Sequence, residues 1–366
     1  MKVALVHDWL IHMRGGEKVL EAIAEIYPQA TIYTLFYHRK KLSSRLANME
    51  IRASFLNRIP GIRQIYRWLL PVLPFVIGTL KIDSDVDLVI SSSHCVAKGI
   101  KIPAGARHLC YIHAPMRYAW GFSEEYFGSF PFFLRPLIRT LMWQLQIWDK
   151  KSNQHVDGFI ANSQNVRQRI KDFYGREAEV IYPPLDAQFY RPGGERKDYY
   201  LVVSAFVPYK KVDLVIEAFN ALDRKLFIIG SGPCESFYRQ LRRSPQIFFL
   251  GPLERAELRR FYAEAKALIF PTDEDFGIVP LEAQACGTPV IAYGKGGALE
   301  SVKTGIFFEE QTAEAIRKAI FEFEQMHFNQ VQTSAQVASF DRSIFQERFS
   351  ALVREQISKQ KNYAAT

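Results

Sequence analysis

Two glutamates in the second half of the chain lie in a setting suited to binding hydroxyl and phosphate groups. Glu274 and Glu282 are eight residues apart, after an apolar, strand-like run at 267–270. Gly277 allows a close backbone approach to a ligand, and Pro280 suits the first turn of a helix. A helix that starts at the carboxyl edge of a sheet presents free N–H groups, which favour phosphate. Glu282, expected in that first turn, can accept hydrogen bonds from a diol such as ribose, and Glu274 from a sugar.

Two lysines provide a possible cationic counterpart. Lys210 and Lys211 follow a strand-like run at 200–204 and precede a helical pattern at about 212–222. Cations aimed at a departing diphosphate lower the barrier to breaking a sugar–phosphate bond. The alternative is a pair of solvated lysines at the start of a helix, a place that ordinarily disfavours cations.

The first half of the chain has its own glycine and histidine candidates. Gly15 and Gly16 precede a helical pattern and follow the apolar run 2–6, so their amides could approach a phosphate. An ordinary tight turn is the alternative. His113 ends a strand-like run at 108–112, where a histidine is either structural or directed at a ligand.

Both halves alternate apolar strand-like runs with helical patterns, which predicts parallel sheets covered on both faces. The expected fold is therefore α/β, with two Rossmann-like doubly wound domains facing a central cleft. We place the domains at 1–185 and 186–340, followed by a C-terminal helix at 341–366 that packs back on the first domain. The strand candidates lie at 2–6, 31–35, 88–91, 108–112, 158–161 and 179–181, and at 200–204, 225–229, 247–250, 267–270 and 289–292.

Composition and charge narrow the class of protein. The chain has 366 residues, 48% of them hydrophobic and 23% charged, which excludes a wholly disordered protein. Its four scattered cysteines fit a reducing cytosol better than a disulfide framework. The longest apolar run, at 68–80, is shorter than the roughly 20 residues of a membrane-spanning helix and contains two prolines. We therefore expect a cytoplasmic protein that does not cross a membrane.

The net charge of +9 predicts anionic partners, and its excess lies in the first half. Residues 39–67 contain eight Lys and Arg but only one acidic residue, Glu50, and apolar residues are interleaved with them. Such a stretch suits the surface of an anionic membrane at the inner face, while a solvated basic face over ordinary core residues is the alternative. No nucleic-acid motif accompanies the charge, so we expect no nucleic-acid partner.

The combination of motifs resembles glycosyltransferase family 4, the retaining sugar-nucleotide enzymes of GT-B fold. The glutamate pair matches in spacing, and further matching segments occur in the family's order over roughly residues 1–350. It looks closest to the mannosyltransferase-like branch that builds bacterial surface polysaccharides. These segments lie at 7–10, 14–18, 111–121, 161–166, 182–186, 208–213 and 294–297.

The resemblance implies roles for individual residues. Lys210 would neutralise the donor diphosphate, Glu274 would hold the sugar, and Glu282 the ribose. The family's arginine five residues before that lysine is Ala205 here, so Lys211 would have to supply the missing charge. His113 would contact the transferred sugar. Further donor contacts would come from Gly15, Gly16, Gly230, Gly232, Phe276, Gly277 and Ile278, and the acceptor side would be lined by Arg117, Tyr118 and Trp120.

The predicted activity is transfer of a hexose, mannose from GDP-mannose, to a saccharide or lipid-linked oligosaccharide in surface polysaccharide or lipopolysaccharide synthesis. No cofactor or metal is expected, because the Asp-Ser-Asp-Val-Asp run at 83–87 precedes a strand rather than following one. Two alternatives stay open. Ala205 suggests a nucleotide-sugar-binding protein with little turnover, and the Gly-Ser-Gly run at 230–232 suggests a Rossmann-type oxidoreductase that binds NAD.

Overall fold

The computed structural model describes residues 1–117, 119, 120 and 132–364 of the chain, which forms two compact units. The first comprises residues 1–184 together with 343–366, and the second residues 185–342. The sequence-based boundaries at 185 and 340 differ from these by at most two residues. Each unit is described by itself below.

Seven parallel strands form the sheet of the first unit, in the order β3-β2-β1-β4-β5-β6-β7. The order reverses between β1 and β4, whose carboxyl ends therefore flank the position where doubly wound sheets bind ligands. The strands are β1 (Val3–His7), β2 (Thr31–Thr34), β3 (Ile51–Ala53), β4 (Leu88–Ser93), β5 (Arg107–Ile112), β6 (Gly158–Ala161) and β7 (Ala178–Val180).

Helices cover both faces of this sheet, because successive side chains of each strand point to opposite sides. Leu5 of β1 packs into a cluster that also contains residues of the first and the last helix of the chain, whereas Val6 packs into the cluster on the other face. The helices are α1 (Gly15–Ile26), α2 (Ser44–Ala47), α3 (Ile62–Ile65), α4 (Leu73–Ile77), α5 (Arg135–Ser152), α6 (Gln164–Tyr174) and the C-terminal helix (Arg342–Ala364).

The C-terminal helix belongs to the first unit although the chain reaches it through the second. Its residues Phe345, Phe349 and Val353 are buried in the same cluster as Leu5. The Gln346 amide donates hydrogen bonds to Ala22 O and Glu25 Oε2 of α1, at 3.2 and 2.7 Å. The helix therefore forms part of the core of the first unit.

The second unit contains a six-stranded parallel sheet in the order β10-β9-β8-β11-β12-β13. Its order reverses between β8 and β11, so the loops that follow these two strands flank the switch point. The strands are β8 (Tyr200–Val203), β9 (Leu226–Ile229), β10 (Ile247–Gly251), β11 (Ala267–Phe270), β12 (Val290–Tyr293) and β13 (Gly305–Phe308). The helices are α7 (Val212–Asn220), α8 (Glu235–Leu241), α9 (Arg255–Glu264), α10 (Ile278–Ala285), α11 (Ala298–Ser301), α12 (Ala313–Phe323) and α13 (Gln330–Ala335), and the C-terminal helix is accordingly α14.

The predicted α/β class with two parallel Rossmann-like sheets is confirmed. Every predicted strand is present, with its ends displaced by at most two residues. Two strands were not predicted, β3 and β13. Both lie at sheet edges. β3 has only three residues and a weak apolar signal, whereas the run 306–308 of β13 is apolar and was missed all the same.

A buried ion pair joins the loop after β4 to α5. Lys98 Nζ lies 2.8 Å from Asp149 Oδ1, and both side chains are almost wholly excluded from solvent. The other carboxylate oxygen accepts hydrogen bonds from Trp120 Nε1 at 2.8 Å and from Tyr174 OH at 2.7 Å. Because each charge has several partners, the pair can be held in the interior, where an isolated charge is not tolerated.

The basic stretch at 39–67 does not form a single surface. Leu42 and Leu46 pack in the cluster that contains α1, whereas Leu56 and Ile62 pack in the cluster on the opposite face. Arg52 is paired with Glu50 and with Asp83, which the sequence did not predict as a partner. Among the described helices, none has the length and apolarity needed to span a bilayer.

Candidate functional site

In the second unit, the loops that follow β8 and β11 bring Lys210 and Glu274 together. The Thr272 hydroxyl donates to Tyr209 O at 3.0 Å and so ties the two loops to each other. The Lys210 ammonium forms an ion pair with the Glu274 carboxylate, and both side chains are mostly buried. A cation and an acceptor thus meet at the switch point of the sheet, which is where phosphate and hydroxyl groups could be bound side by side.

The same loop ends at the N-terminus of α10. Gly277 is the N-cap residue, with φ +88°, a conformation that side chains other than glycine rarely adopt. The first amides of a helix have no partner within it, so Ile278 and Val279 offer free N–H groups, whereas Pro280 has none. The segment 276–278 therefore has the features of an anion-binding helix start.

The position of Glu282 corrects the sequence-based expectation. Since α10 begins at Ile278, Glu282 lies in its second turn and not in the first. The side chain is only 4% exposed, and its Oε2 accepts a hydrogen bond from Tyr262 OH at 3.2 Å. Burial and this carboxylate raise the pKa of the Tyr262 phenol well above its usual range. The phenol therefore stays protonated and remains a hydrogen-bond donor. A ribose would have to share Glu282 with Tyr262.

A glycine loop at 294–297 supports Glu274 from the next strand. The Gly297 N–H donates to Glu274 O at 2.7 Å. A Cβ on Gly297 would lie 2.2 Å from Phe276 Cα, and one on Gly296 would lie 2.6 Å from Glu274 O. No side chain fits in either place, so these glycines fix the position of the candidate loop.

Replacing Gly297 with alanine should displace the loop that carries Glu274. We expect ligand affinity and turnover to fall at least tenfold, because the Cβ collides with backbone that has no room to move. Gly193→Ala is a matched control in the same unit, since its Cβ would meet only the end of the Arg259 side chain at 3.7 Å. Equal affinity and turnover for both variants would show that this packing does not position the site.

Gly230 and Gly232 are required by a close approach of two backbone segments, which the sequence did not indicate. A Cβ on Gly230 would lie 1.8 Å from Ser204 O, and one on Gly232 would lie 2.5 Å from Phe206 O. The Phe206 N–H also donates to Ser231 O at 2.9 Å. Both glycines therefore let the loop after β9 pack on the loop after β8, and their contact with a donor stays a prediction.

Lys211 has a strained backbone. Its φ of +53° is the only positive value of a non-glycine residue in the part of the chain that the structure describes. The left-handed region costs such a residue on the order of 1 kcal/mol, and strain of this kind concentrates at functional sites. Lys211 is the residue that immediately precedes α7, next to the paired Lys210.

In the first unit, His7 and His113 meet across a serine at the ends of β1 and β5. The Ser92 Oγ lies 3.1 Å from His7 Nδ1 and 2.7 Å from His113 Nε2, so it can donate to one ring and accept from the other. A Cβ on Gly16 would lie 3.4 Å from His7 Cε1 and 3.5 Å from His113 Nε2. The predicted Gly16 and His113 are therefore neighbours at the start of α1.

Two members of this cluster, Asp8 and His94, were not predicted. Asp8 is buried and accepts hydrogen bonds from the backbone N–H groups of residues 94–97, at 2.6–3.1 Å. Its Oδ2 also lies 3.0 Å from His94 Nδ1. A possible signal was available, since the Ser-Ser-Ser-His run at 91–94 ends a strand next to β1, at the switch point.

The predicted acceptor-side residues have different positions. Arg117 lies close enough to His94 for its charge to lower the pKa of that histidine, although burial is the larger cause. Trp120 stacks on Phe173, with ring centroids 4.8 Å apart, and its indole N–H donates a hydrogen bond to Asp149. Trp120 is therefore an anchor of the fold, and Tyr118 lies outside the described residues.

Burial keeps several histidines of the first unit neutral. It lowers the pKa of His7 and of His113 to about 3, helped by the neighbouring His94, and that of His108 to about 4. Burial has the opposite effect on a carboxyl group and raises the pKa of Glu17 to about 7.

These shifts predict a loss of stability in acid. Each histidine stabilises the fold fully above its unfolded pKa of about 6.5, and this contribution is lost as the pH falls towards 3–4. Glu17 has the opposite effect, because its raised pKa stabilises the fold as the pH falls from about 7 to about 4.5. This one carboxyl group offsets only part of the loss from the three histidines. We expect the free energy of unfolding to fall by roughly 4 kcal/mol between about pH 7.5 and pH 5.

Urea denaturation at the two pH values measures this change. His108→Gln should reduce this pH dependence, because the variant lacks one of the three buried neutral histidines. A free energy of unfolding that stays constant or rises towards pH 5 would show that these histidines are not held neutral by the fold.

Two family models match the chain in succession. The model described as Glycosyltransferase Family 4 matches residues 14–189, and the model described as Glycosyl transferases group 1 matches residues 189–336. The two matches meet within a few residues of the boundary between the units at 184 and 185.

Curated relatives share a moderate identity with part of the chain. The D-inositol 3-phosphate glycosyltransferase of Mycolicibacterium paratuberculosis is 30% identical over an alignment of 196 positions, which covers 47% of this chain and 43% of that protein. The enzyme of the same name from Mycobacterium bovis is also 30% identical and is covered over 40% of its length. The match thus spans less than half of these relatives.

Solved structures resemble the chain over nearly its whole length. HepE from Anabaena, solved in complex with UDP, has a TM-score of 0.70 at 17% identity, over 97% of this chain and all of that chain. Sucrose-phosphate synthase from Thermosynechococcus elongatus has a TM-score of 0.75 at 16% identity, over 98% of this chain and all of that chain. At these identities the likeness shows the fold.

Proposed function

We propose that this chain, which belongs to the family 4 glycosyltransferases of GT-B fold, transfers a hexose from a nucleotide-sugar donor to a saccharide acceptor and retains the anomeric configuration. The observation that carries the proposal is the Lys210–Glu274 pair at the switch point of the second sheet, beside the N-terminus of α10.

The donor chemistry follows from this arrangement. Lys210 leaves Glu274 for the diphosphate and offsets the charge that develops on the departing nucleotide. Glu274 then accepts hydrogen bonds from hydroxyl groups of the sugar, and the free amides of Ile278 and Val279 contact a phosphate oxygen. No step of this scheme requires a metal ion.

The donor we propose is GDP-mannose, from the resemblance to the mannosyltransferase-like branch. A UDP-hexose is the second candidate, because the structurally similar HepE was solved with UDP-glucose. Thermal shifts with GDP, UDP and their sugars separate the two, since only the preferred nucleotide should stabilise the fold strongly.

The acceptor we propose is a saccharide or lipid-linked oligosaccharide at the inner face of the cytoplasmic membrane, reached from the cytoplasm. In this proposal the first unit supplies the acceptor side through Arg117, while His113 contacts the transferred sugar and Gly16 approaches the donor diphosphate. Because the curated relatives are named for an inositol 3-phosphate acceptor, that compound belongs in the acceptor screen.

A binding protein with little turnover is the rival proposal, since Ala205 stands where the family has an arginine. The strained Lys211 argues for an enzyme, because a backbone held at some cost indicates a fixed position for its charge. An NAD-dependent oxidoreductase has less support, since Gly230 and Gly232 make room for the chain's own backbone.

Replacing Lys211 tests the choice between an enzyme and a binding protein. Lys211→Ala should lower kcat about 100-fold while the donor Kd changes less than threefold, because the charge is needed most when the diphosphate departs. Lys211→Arg should restore part of the turnover. An equal loss of kcat and of donor affinity, or no loss of either, would refute the proposed role of Lys211.

A further inference from the structure

Exposed apolar side chains of the described residues are concentrated in two segments of the first unit. Ten of the eighteen large apolar residues that are strongly exposed lie within 55–75 and 132–143. Those of the first segment, which we name the ridge, are Phe55, Ile59, Ile65, Trp68, Val72 and Phe75. Those of the second segment, which we name the α5 patch, are Phe132, Phe133, Leu137 and Trp143.

The ridge has the pattern of an amphipathic segment. Its exposed residues from Ile65 to Phe75 recur at spacings of three, four and three, while Leu70, Leu73 and Val76 between and beside them are buried in the core. Trp68 and Phe75 are 70% and 72% exposed. The inner face is therefore occupied by the core, and the outer face exposes a group of large apolar side chains, as interaction surfaces do.

The α5 patch lies over the same part of the core. Met142 and Leu145 of α5 are buried in the cluster that also holds Leu73, and both α4 and α5 contact the turn Ala97–Gly99. Leu137 and Trp143, on the outer side of α5, are exposed. Both segments thus cover the same face of the first sheet.

The charges around both segments have one sign. Neither 51–82 nor 132–148 contains an acidic residue. The exposed arginines Arg58 and Arg63 accompany the ridge, and Arg135 and Arg139 accompany the α5 patch. Aromatic and aliphatic groups with arginines between them and no acidic residue are the composition by which proteins bind the interface of an anionic bilayer.

We propose that the ridge and the α5 patch form one docking surface for an anionic bilayer, with Trp68, Phe75 and Trp143 entering the headgroup region. This inference rests on the proposed function only in that a lipid-linked acceptor gives the docking a purpose. The proposed membrane contact lies at residues 55–75 and 132–143, and not along the whole basic stretch at 39–67 that the sequence suggested.

Vesicle co-sedimentation with the full chain tests the proposal. Vesicles that contain phosphatidylglycerol should bind the protein, and vesicles of phosphatidylcholine alone should bind it much more weakly. Added salt should release it. The variants Trp68→Ser with Phe75→Ser, and Leu137→Ser with Trp143→Ser, should each lower the partition coefficient at least tenfold. Arg58→Gln with Arg63→Gln should lower it about fivefold for each arginine.

A matched control lies on the second unit. Phe237 and Phe321 are each 52% exposed, and replacing both with serine should leave vesicle binding unchanged. Equal binding to both kinds of vesicle, or an equal loss in this control, would overturn the proposal. A third result would also overturn it: the wild type is a dimer in solution that does not bind vesicles, and the ridge variant is a monomer. The ridge would then be the interface between two copies of the chain.

Nucleotide binding separates this proposal from the proposed function. The ridge variant should keep the thermal shift of the wild type with nucleotide diphosphates, because the substitutions lie outside the second unit. Vesicle binding without any nucleotide shift in the wild type would leave the docking surface standing and remove the donor site. A nucleotide shift without vesicle binding would leave the donor site standing and remove the docking surface.

Discussion

Replacing Lys210 with methionine should lower the turnover with a nucleotide-sugar donor by about 100- to 1,000-fold. The side chain loses the ammonium that forms an ion pair with Glu274 and that we assign to the diphosphate, while most of its volume is kept. The departing nucleotide then carries uncompensated charge in the transition state. Steady-state kinetics with the preferred donor measure the effect, and the melting temperature shows whether the fold is preserved.

The exposed Lys225→Met is the control, because it removes the same charge from the same unit away from the β8 and β11 loops. Its turnover should stay within twofold of the wild type. If Lys210→Met were as active as Lys225→Met, the assignment of Lys210 to the departing group would be wrong.

Replacing Lys98 with methionine should cost the first unit about 3–5 kcal/mol of stability. The substitution leaves the Asp149 carboxylate buried without its cation, and the hydrogen bonds from Trp120 and Tyr174 do not neutralise the charge. For a unit of this size we expect the melting temperature to fall by roughly 10 °C. Thermal unfolding by circular dichroism measures the change.

The exposed pair formed by Lys171 and Glu177 provides the comparison. Its side chains are 60% and 67% exposed, with a separation of 3.0 Å, so Lys171→Met should cost far less stability than Lys98→Met. Similar losses for Lys98→Met and Lys171→Met would contradict the account of the buried pair as an organiser of α5 and Trp120.

The sequence predicts the strand, loop and helix that carry the second-unit candidate site because their signals are local. Glu274, Gly277 and the start of α10 follow one another along the chain, and the turn residues mark where the strand ends and the helix begins. The alternation of apolar runs likewise predicts the parallel sheets. The edge strand β3 has too few apolar residues to be recognised in this way.

The sequence does not reveal contacts between distant segments. Nothing near Asp8 shows that it binds a loop 86 to 89 residues away, and nothing near Lys98 shows that it is buried against Asp149. Both residue types are normally exposed, so their burial follows from tertiary structure. The tight packing of Gly230 against Ser204 is equally invisible, because a glycine beside a ligand and one beside backbone look alike in sequence.

The most direct test of the donor site is a thermal-shift panel of GDP, UDP, GDP-mannose and UDP-glucose, with and without Mg²⁺, on the wild type and on Lys210→Met. A ligand at about 100 times its Kd should add roughly 2.7 kcal/mol to the stability of the fold. We predict a metal-independent shift with one nucleotide family that is strongly reduced in Lys210→Met. No shift with any nucleotide, or an undiminished shift in Lys210→Met, would contradict the account.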